Sequence, residues 1–339
     1  MSVRYSRQER FAGIGVDGQA RLRRARVVIV GCGALGSVLA EQMCRAGVGR
    51  LTLVDRDFVE PSNLQRQSLF DEDDAAAGLP KAVAAEAHLR RLNSEVDVRG
   101  VIADVAADSA PELLEGASIV LDGTDNFETR FLVNDVCVRE SIPWVYGACV
   151  GAYGLALLVR PHVTPCLRCV LEEMPPAGSG PTCDTAGVIA PIVHVVAGIQ
   201  AAEALKLLAG REEALTRGLV AVDLWKGTFD VMDLSRRAPS CPSCTEGRYD
   251  YAEVGATGGS TVLCGRDAVQ VRPPRGTKVD LPELARRLAG VARVNANDYL
   301  VRMETDEAEM VVFGDGRAIV RGVQDAAQAR SLYAKYVGS

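Results

Sequence analysis

Two Cys-x-x-Cys pairs are the clearest chemical signal in this sequence: Cys166-Leu-Arg-Cys169 and Cys241-Pro-Ser-Cys244. Each pair can present two thiolates to one ion, and two pairs complete the closed tetrahedral set of a structural zinc site. A redox Cys-x-x-Cys needs only one pair, at the head of a helix, so the doubled pattern favours metal. Since a closed four-thiolate site has no open coordination position, we predict a structural Zn²⁺ that ties distant parts of the chain together.

A glycine-rich loop follows Arg26-Val-Val-Ile-Val, a run typical of a strand buried on both faces of a sheet. The loop reads Gly31-Cys-Gly33-Ala34-Leu-Gly36 and precedes a helical pattern, so its backbone can approach a phosphate or ribose at the helix N-terminus. Asp55 ends the next predicted strand, where a carboxylate can accept a ribose hydroxyl. The pattern predicts a nucleotide site but does not separate NAD from ATP.

A polar loop after Asp55 favours chemistry at phosphorus over hydride transfer. Its candidate ligand residues are Asp57, Ser62, Asn63, Arg66 and Gln67. The guanidinium of Arg66 can bind a phosphate through two parallel hydrogen bonds. A helix then opens at Lys81 after Pro80, which places an ammonium beside the positive end of the helix dipole. The alternative for each cation taken alone is an ordinary solvated position.

A further polar turn, Thr124-Asp125-Asn126, ends a buried strand at the edge where open α/β sheets bind ligands. The carboxylate of Asp125 can coordinate Mg²⁺ through oxygen. The structural alternative is a capping box, because Glu128 follows Asp125 by three residues.

One cysteine stands apart from the zinc pairs and from the apolar contexts of the others. Cys183 follows a Pro- and Gly-rich stretch at 174–181, which predicts a mobile loop, and a thiol there can act as a nucleophile. An exposed bystander is the alternative. The remaining cysteines read as small core hydrophobes: Cys32, Cys44, Cys137, Cys149 and Cys264.

Composition narrows the class of protein. The chain has 339 residues, a formal charge of −6, a pI near 5.3 and ten cysteines. Mild acidity argues against a nucleic-acid partner. The longest apolar run, at 190–208, is broken by polar residues, so we expect neither a membrane span nor a membrane partner. The N-terminus lacks a signal-peptide pattern, and the expected location is the cytoplasm, where metal or catalysis explains cysteines better than disulfides.

The chemistry-bearing residues stand on alternating strand and helix patterns that predict an α/β, Rossmann-like, mainly parallel sheet. Predicted strands cover 26–31, 50–55, 96–102, 117–122, 144–146, 155–160, 219–224 and 228–234, and predicted helices cover 34–46, 81–92, 126–140 and 192–209. This pattern and the zinc site make one domain, residues 1–248. A linker at 249–260 precedes a small α+β domain, 261–339, of unknown role. Its predicted strands are 262–271, 300–304, 310–313 and 318–321, and its helices are 281–288 and 326–336.

Taken together, these motifs resemble the MoeB/ThiF (HesA/MoeB/ThiF) adenylyltransferases, the bacterial relatives of ubiquitin-activating enzymes. The matching stretches are 4–8, 31–36, 55–67, 124–126, both cysteine pairs and 182–191. They lie in order over residues 1 to about 248, nearly three quarters of the chain. Ala34 departs from the pattern where relatives carry a third glycine, and a small residue should be tolerated there.

The resemblance implies a reaction and its partners. The C-terminal Gly carboxylate of a ubiquitin-like sulfur-carrier protein ending in Gly-Gly (MoaD/ThiS type) attacks the α-phosphate of ATP, giving an acyl-adenylate and pyrophosphate. Asp55 would bind ribose, Asn63, Arg66 and Lys81 the triphosphate, and Asp125 Mg²⁺. Arg7 would reach the ATP of a partner subunit, which implies a homodimer. Cys183 matches a family cysteine that can form a thioester or persulfide link. Molybdenum cofactor and thiamine biosynthesis both begin with this adenylate.

Three other functions remain as alternatives. The first is an activating enzyme for a bacterial ubiquitin-like conjugation pathway. The second is a catalytically silent scaffold that binds a ubiquitin-like protein. The third is an NAD-dependent oxidoreductase, which leaves Arg66, Lys81 and the cysteine pairs without a purpose. A rhodanese domain at the C-terminus is disfavoured, because Cys264 falls in a predicted strand rather than on a phosphate-cradling loop.

Overall fold

A computed structural model describes residues 3–176, 180, 182–234, 240–253, 260–263, 268–274, 276–323 and 325–338. The chain divides into two compact units, the first running Met1–Pro176 and Pro181–Gly255 and the second taking Ala177–Gly180 and Ala256–Ser339. Much of the predicted mobile loop at 174–181, and Cys264, lie outside the described residues.

The first unit carries an eight-stranded sheet in the order β3-β2-β1-β4-β5-β6-β7-β8. Its strands are β1 (Arg26–Val30), β2 (Arg50–Asp55), β3 (Asp97–Ile102), β4 (Ile119–Asp122), β5 (Trp144–Val150), β6 (Tyr153–Val159), β7 (Gly218–Asp223) and β8 (Thr228–Asp233). The first five are parallel, and β6, β7 and β8 continue the sheet antiparallel to their neighbours. The predicted mainly parallel, Rossmann-like sheet is confirmed.

Helices cover both faces of this sheet. They are α1 (Ser6–Arg10), α2 (Gly15–Leu22), α3 (Ala34–Ala46), α4 (Glu72–Ala76), α5 (Lys81–Leu92), α6 (Ala110–Leu114), α7 (Phe127–Arg139), α8 (Leu167–Val170), α9 (Cys183–Ala186), α10 (Ala190–Leu208) and α11 (Asp250–Glu253). Short 3-10 turns lie at Pro61–Asn63 and Glu212–Ala214. The sequence predicts the bounds of α3 and α5 as observed, because each begins after a loop with turn residues and keeps its apolar period.

Strand β1 shows how the core is divided. Val27 and Ile29 pack into the apolar cluster on one face of the sheet, and Val28 and Val30 into the cluster on the other. All four side chains are buried, which is the arrangement expected of a central parallel strand. Since side chains alternate along a strand, one β-branched run serves both faces and fixes the centre of the sheet.

Helix α10 is the one described helix that is long and apolar enough to cross a membrane by length and composition. Its side chains Ile192, Val196 and Ala201 are buried in the first unit's core, together with the polar Gln200 and Glu203. It contacts α3, β5 and β6. This helix is therefore a core helix of the first unit.

The second unit is a six-stranded sheet in the order β11-β12-β13-β14-β10-β9, with antiparallel pairs throughout. Its elements are β9 (Ser260–Leu263), β10 (Ala268–Val271), α12 (Leu281–Leu288), β11 (Arg293–Ala296), β12 (Leu300–Glu304), β13 (Glu309–Phe313), β14 (Ala318–Arg321) and α13 (Ala326–Tyr336). The single strand predicted at 262–271 is wrong, since two strands pair there, and β11 was not predicted because its residues are mostly exposed and polar.

The start of the segment 249–260 is helical. Helix α11 lies inside this predicted linker, and the Tyr251 ring packs edge-on against Phe131 of α7 with ring centroids 4.9 Å apart. Residues 249–253 are therefore part of the first unit rather than a free connection.

Candidate active site and cysteine cluster

In the glycine-rich loop after β1, two residues lie so close to neighbouring backbone that only glycine fits. Gly31 has φ +88°, and a Cβ there would lie 2.7 Å from the carbonyl oxygen of Gly123. A Cβ at Gly36 would lie 1.8 Å from the carbonyl oxygen of Gly31. These two glycines let the loop turn tightly into α3 beside the end of β4.

Gly33 has a different reason to be glycine. A Cβ there would meet nothing closer than 3.7 Å, so protein packing does not exclude a side chain. Gly33 caps α3, whose first residue is Ala34, and the backbone N–H groups of a first helical turn face away from the helix. The open space beside Gly33 is thus suited to a ligand with negative charge.

Asp55 organises this loop from the end of β2. Its buried carboxylate accepts the backbone N–H of Cys32 at 2.6 Å and that of Asp57 at 2.7 Å. Burial raises the pKa of this carboxyl group, while the nearby ammonium of Lys81 opposes the rise. Each carboxylate oxygen can accept more than one hydrogen bond, so Asp55 keeps acceptor capacity for a ribose hydroxyl.

Lys81 is brought to the same place by α5. Its side chain is 3% exposed, and its Nζ lies 3.5 Å from Oδ2 of Asp57. The backbone N–H of Lys81 also donates to the carbonyl oxygen of Asp57 at 2.9 Å. A buried ammonium at the start of a helix adds fixed positive charge to the edge of the sheet, where the solvated alternative would leave it exposed.

The polar loop between β2 and α4 is fixed by its own side chains. Asn63 accepts the backbone N–H of Glu60 at 3.2 Å, and Arg66 donates to the carbonyl oxygen of Ser62 at 2.9 Å. Gln67 is buried, and its Oε1 has no hydrogen-bond partner among the described residues. A Cβ at Gly33 would lie 4.0 Å from Nε2 of Gln67, so this amide borders the glycine-rich loop.

The turn after β4 presents Asp125 without using it as a helix cap. The helix α7 is capped by Asn126, whose side chain accepts the backbone N–H of Thr129 at 2.8 Å. The capping box predicted as the alternative for Asp125 and Glu128 is therefore wrong. Asp125 is exposed at the carboxyl edge, and Asp122 behind it accepts both the N–H and the hydroxyl of Thr124 at 2.9 and 2.6 Å.

Two buried polar residues of the site escaped the sequence analysis. Arg130 donates to Asp122, and Gln200 of α10 donates to the carbonyl oxygens of Asp122 and Val145 at 2.9 and 3.1 Å. A charged or amide side chain inside an otherwise apolar helix is the sequence feature that could indicate them, since such a group requires hydrogen-bond partners when it is buried. Which partners it finds depends on the sheet order.

Cys183 lies at the same edge of the sheet. It begins the short helix α9, which Thr182 caps, and its Sγ lies 3.2 Å from the carbonyl oxygen of Cys149 in β5. The segment after it is fixed by hydrogen bonds of Gly151 to Gly187 and Ile189. The thiol is half-buried rather than a fully exposed bystander.

Arg7 does not join these residues within one chain. Helix α1 is held at the far end of α3, where Gln8 donates to the carbonyl oxygen of Ala46 at 2.9 Å and Tyr5 packs on Gly47. The 13 residues of α3 span about 20 Å between that end and the glycine-rich loop. The exposed side chain of Arg7 is thus separated from the glycine-rich loop of its own chain by about the length of α3.

The four predicted metal ligands converge. Sγ of Cys166 lies 3.6 Å from that of Cys241, and Sγ of Cys169 lies 3.3 Å from that of Cys244. All four sulfur atoms lie within 4.8 Å of one another. Tetrahedral thiolates about 2.3 Å from one ion stand about 3.8 Å apart, so the cluster fits a metal ion. Burial raises the pKa of the Cys244 thiol to about 12, which a bound cation would reverse.

Side chains of α7 form a buried network of hydrogen bonds with the segments around the two Cys-x-x-Cys pairs. Asp135 accepts the hydroxyl of Ser243 at 2.5 Å and the backbone N–H of Tyr251 at 3.1 Å. Asn134 accepts the backbone N–H of Leu167 at 2.9 Å. Arg168, inside the first cysteine pair, donates to Asp250 at 3.1 Å. One helix thus fixes both cysteine pairs and the start of α11.

The fold and the site define a class of enzyme. A Rossmann-like sheet brings a glycine-rich loop, a carboxylate at the end of β2, a buried lysine and an exposed aspartate to one edge, beside a four-cysteine cluster that can hold a metal. Positive charge beside such a loop suits an enzyme that transfers groups at phosphorus.

The chain belongs to the ThiF family, whose model matches residues 5–243. It is 49% identical to the sulfur carrier protein ThiS adenylyltransferase of Bacillus subtilis over the full length of both chains. It is 43% identical to the SAMP-activating enzyme E1 of Haloferax volcanii over 74% of this chain and 91% of that protein. The resemblance stated from the sequence motifs is confirmed.

Solved structures agree on the fold. A crystal structure of E. coli MccB with MccA-N7isoASN superimposes with a TM-score of 0.63 at 26% identity, over 71% of this chain and 74% of that one. The similarity to the Bacillus subtilis protein extends through the second unit, which the family model does not cover.

Proposed function

We propose that this enzyme adenylates the C-terminal glycine carboxylate of a ubiquitin-like sulfur-carrier protein of the ThiS type, releasing pyrophosphate. The observation that carries the proposal is the convergence of Gly33, Asp55, Lys81 and Asp125 at the carboxyl edge of one sheet. The full-length similarity to a ThiS adenylyltransferase supports the choice of carrier.

The residues at this edge divide the work on ATP. Asp55 accepts the ribose hydroxyls, and the glycine-rich loop takes the phosphates against the N-terminus of α3. Arg66 and Lys81 offset the repulsion between the triphosphate and the incoming carboxylate. No general base is required, because the nucleophile is already ionised. Asp57, Ser62, Asn63, Gln67, Thr124 and Asn126 complete the nucleotide site.

Asp125 is our proposed ligand for Mg²⁺. Its carboxylate is exposed at the nucleotide edge, and Asn126 rather than Asp125 caps the following helix. Mg²⁺ commonly binds one or two carboxylates together with substrate phosphates, which fits a single aspartate beside the glycine-rich loop. When bound, the ion neutralises charge on the leaving pyrophosphate.

Cys183 is our proposed acceptor for the activated carrier. Its thiol stands at the nucleotide edge, beside β5 and on a capped helical turn. Attack of this sulfur on the acyl-adenylate would release AMP and form a thioester. If a persulfide donor had first transferred its sulfane sulfur to Cys183, the outer sulfur would attack instead, releasing AMP and forming an acyl disulfide. Both links require the carrier's terminus to reach the thiol of Cys183 at this edge of the sheet.

A homodimer is the proposed working unit. Arg7 is separated from its own nucleotide edge by about the length of α3, roughly 20 Å. An arginine on an exposed helix can serve a second copy of the chain across a two-fold interface. In that arrangement Arg7 of one subunit would complete the phosphate site of the other.

The hairpin of β7 and β8 is the proposed docking surface for the carrier. Strand β8 ends the sheet, and large apolar side chains are exposed along this hairpin: Leu224, Trp225, Phe229, Val231 and Met232. The hairpin turn lies beside the β5–β6 turn, since the backbone N–H of Leu224 donates to the carbonyl oxygen of Ala152. A small β-rich partner docked there would lie at the edge that holds Cys183.

The proposal for the remaining parts is architectural. The four-cysteine cluster would hold Zn²⁺, which would join the two Cys-x-x-Cys pairs. Residues 1–253 belong to the proposed adenylation domain, and residues 261–339 to a domain for docking the carrier or a downstream protein. We expect the enzyme to act in the cytoplasm.

A second candidate has its own support. The 43% identity to a SAMP-activating enzyme E1 favours activation of a ubiquitin-like protein for conjugation. Both pathways begin with the same adenylate and differ in what receives the acyl group. A non-catalytic scaffold would bind the carrier without any turnover.

Pyrophosphate exchange tests adenylation directly. The full-length enzyme with Mg²⁺, ATP and a ThiS-type protein ending in Gly-Gly should exchange labelled pyrophosphate into ATP, and a carrier lacking its last glycine should not. Exchange that is absent although the carrier binds would support the scaffold instead.

Mass spectrometry of the same mixture tests the covalent step. A carrier adduct on wild-type enzyme that is absent from Cys183→Ala would support Cys183 as the acceptor. An adenylate without an enzyme adduct would restrict the function to adenylation. Transfer from the adduct to lysines of other proteins would favour conjugation over sulfur transfer.

A further inference from the structure

Arg130 is a buried arginine whose hydrogen bonds reach both sides of the proposed catalytic edge. Its Nε donates to Oδ2 of Asp122 at 3.1 Å. Its Nη2 donates to the carbonyl oxygen of Thr124 at 2.8 Å and to that of Gly147 at 2.9 Å. One planar guanidinium therefore holds the turn after β4 and the middle of β5 at the same time.

The backbone pairing between β4 and β5 is short. Strands β4 and β5 pair only through Val120 and Leu121, opposite Trp144 and Val145. Beyond those pairs β5 continues to Val150, whereas the chain after β4 turns away into α7. In the described pairing, no ladder hydrogen bond joins the two segments beyond those pairs. They are joined there by the guanidinium of Arg130 and by the backbone N–H of Gly147, which donates to Oδ2 of Asp122 at 3.3 Å.

Aromatic rings keep the guanidinium in place. Its central carbon lies 5.5 Å from the ring centroid of Phe127 and 5.2 Å from that of Tyr146. The side chain is 7% exposed, and the buried carboxylate of Asp122 neutralises its charge. Such a pair costs free energy to bury, so its three hydrogen bonds must be satisfied together.

The two segments that Arg130 joins carry different parts of the proposed reaction. Thr124 precedes Asp125, the proposed Mg²⁺ ligand. Gly147 lies two residues before Cys149, whose carbonyl oxygen is 3.2 Å from the thiol of Cys183. A shift of either segment would change the spacing between the nucleotide half and the thiol half of the site.

We propose that Arg130 is a positioning residue that sets the spacing between the Asp125 turn and the β5 segment beside Cys183. This rests on the proposed function, since it assigns Arg130 an effect on the metal–nucleotide geometry of that same site. Lysine cannot replace it, because a single ammonium lacks the planar fork needed to bond Asp122 and two carbonyl oxygens at once.

The test compares Arg130→Lys with a matched control, Arg168→Lys, another buried arginine near the cysteine cluster. A displacement of about 1 Å at a reacting centre costs about 100-fold in rate, so Arg130→Lys should lower the pyrophosphate-exchange kcat about 100-fold. It should also raise the Mg²⁺ concentration for half-maximal exchange about tenfold, since Asp125 is displaced. Arg168→Lys should leave the Mg²⁺ dependence unchanged, and an equal change in both variants would overturn the proposal.

A double-variant cycle tests whether Arg130 acts through Asp125. If Arg130 acts through Asp125, then Arg130→Lys combined with Asp125→Ala should be no slower than Asp125→Ala alone. Multiplied losses would show an independent, merely structural role. Where Arg130→Lys fails to fold, Tyr146→Leu loosens the stacking while keeping the charge pair, and should shift the Mg²⁺ dependence in the same direction.

Equilibrium binding separates this proposal from the proposed function. Titration of the full chain with ATP and Mg²⁺ needs no carrier, so it reports on Arg130 even if no carrier supports exchange. Weaker Mg²⁺-dependent ATP binding in Arg130→Lys, with the wild-type value in Arg168→Lys, would support the positioning role. Unchanged binding and exchange in folded Arg130→Lys would refute it.

Discussion

The carboxylate of Asp55 accepts the backbone N–H of Cys32 at 2.6 Å, and so joins the end of β2 to the loop after β1. A residue expected to bind ribose thus also shapes the phosphate loop. Since the other oxygen accepts the N–H of Asp57, removal of this carboxylate would disturb two loops as well as the nucleotide contact.

Substitution by alanine should lower the stability of the protein at Gly36 but raise the KM for ATP at Gly33. In Gly36→Ala the new Cβ would lie 1.8 Å from the carbonyl oxygen of Gly31, and overpacking against fixed backbone should cost about 3 kcal/mol of unfolding free energy. Gly33→Ala meets no protein atom closer than 3.7 Å and should keep its stability while the KM for ATP rises. Urea denaturation and exchange kinetics measure both. Equal stability losses would contradict the assignment of Gly33 to ligand approach.

Arg7 should act across a subunit interface. Arg7→Ala and Lys81→Ala homodimers should each lose exchange activity, and a mixture refolded together should regain about a quarter of it, because half of the dimers then hold one complete site. Mixing Arg66→Ala with Lys81→Ala is the control, since both residues belong to the same site and each chain keeps its own defect. No recovery in the first mixture would place Arg7 in its own chain's site or outside catalysis.

Trp225 should contribute to carrier binding without affecting ATP. Truncation of a central aromatic anchor usually weakens an interface at least about tenfold, so Trp225→Ala should raise the Kd for the carrier by that factor. The matched control is Val163→Ala, which removes another exposed apolar side chain of the same unit. Calorimetric titration with carrier and with ATP separates the effects. A loss of ATP binding, or an equal loss in the control, would contradict the docking surface.

Cys44 should make the protein less stable at alkaline pH. Burial raises the pKa of its thiol from the ordinary value near 9 to about 11. The folded protein then keeps a proton that the unfolded chain releases. The free energy of unfolding therefore falls as pH rises between those values, by about 1.4 kcal/mol per pH unit for this thiol.

Urea denaturation at about pH 8 and about pH 10.5 measures this effect. Cys44→Ala should lose about 2 kcal/mol less than the wild-type protein between the two conditions. Met43→Leu changes a buried neighbour without removing a titrating group, and should keep the wild-type difference. Parallel losses in all three proteins would show that the Cys44 thiol titrates normally.

The cysteine cluster should hold one zinc ion per chain. Elemental analysis of the purified protein should give that ratio, and Cys166→Ser should lose the metal and lower the Tm by about 10 °C, because metal binding contributes folding free energy. Cys137→Ser replaces a buried thiol outside the cluster and should keep the zinc. Iron in place of zinc, or zinc retained by Cys166→Ser, would contradict the assignment.

Local patterns in the sequence were sufficient for several features. The bounds of α3 and α5, the glycine turn at Gly31 and the pairing of the Cys-x-x-Cys motifs all follow from residues close together in the chain or from ligand number. The same reasoning left two interpretations open at Asp125, because Asp125 and Asn126 can each cap a helix by composition and only the path of the turn after β4 selects between them.

The sequence by itself indicated the adenylyltransferase family, the four cysteines that cluster and the chemical types that meet at the carboxyl edge of the sheet. Only the tertiary structure decided that α1, which carries Arg7, lies at the far end of α3, and that Arg130 joins the turn after β4 to β5. The physical reason is the distance along the chain between the residues that interact. Turn, cap and metal-ligand geometry depend on neighbouring residues, whereas the partner of a buried arginine depends on which strands the whole sheet places side by side.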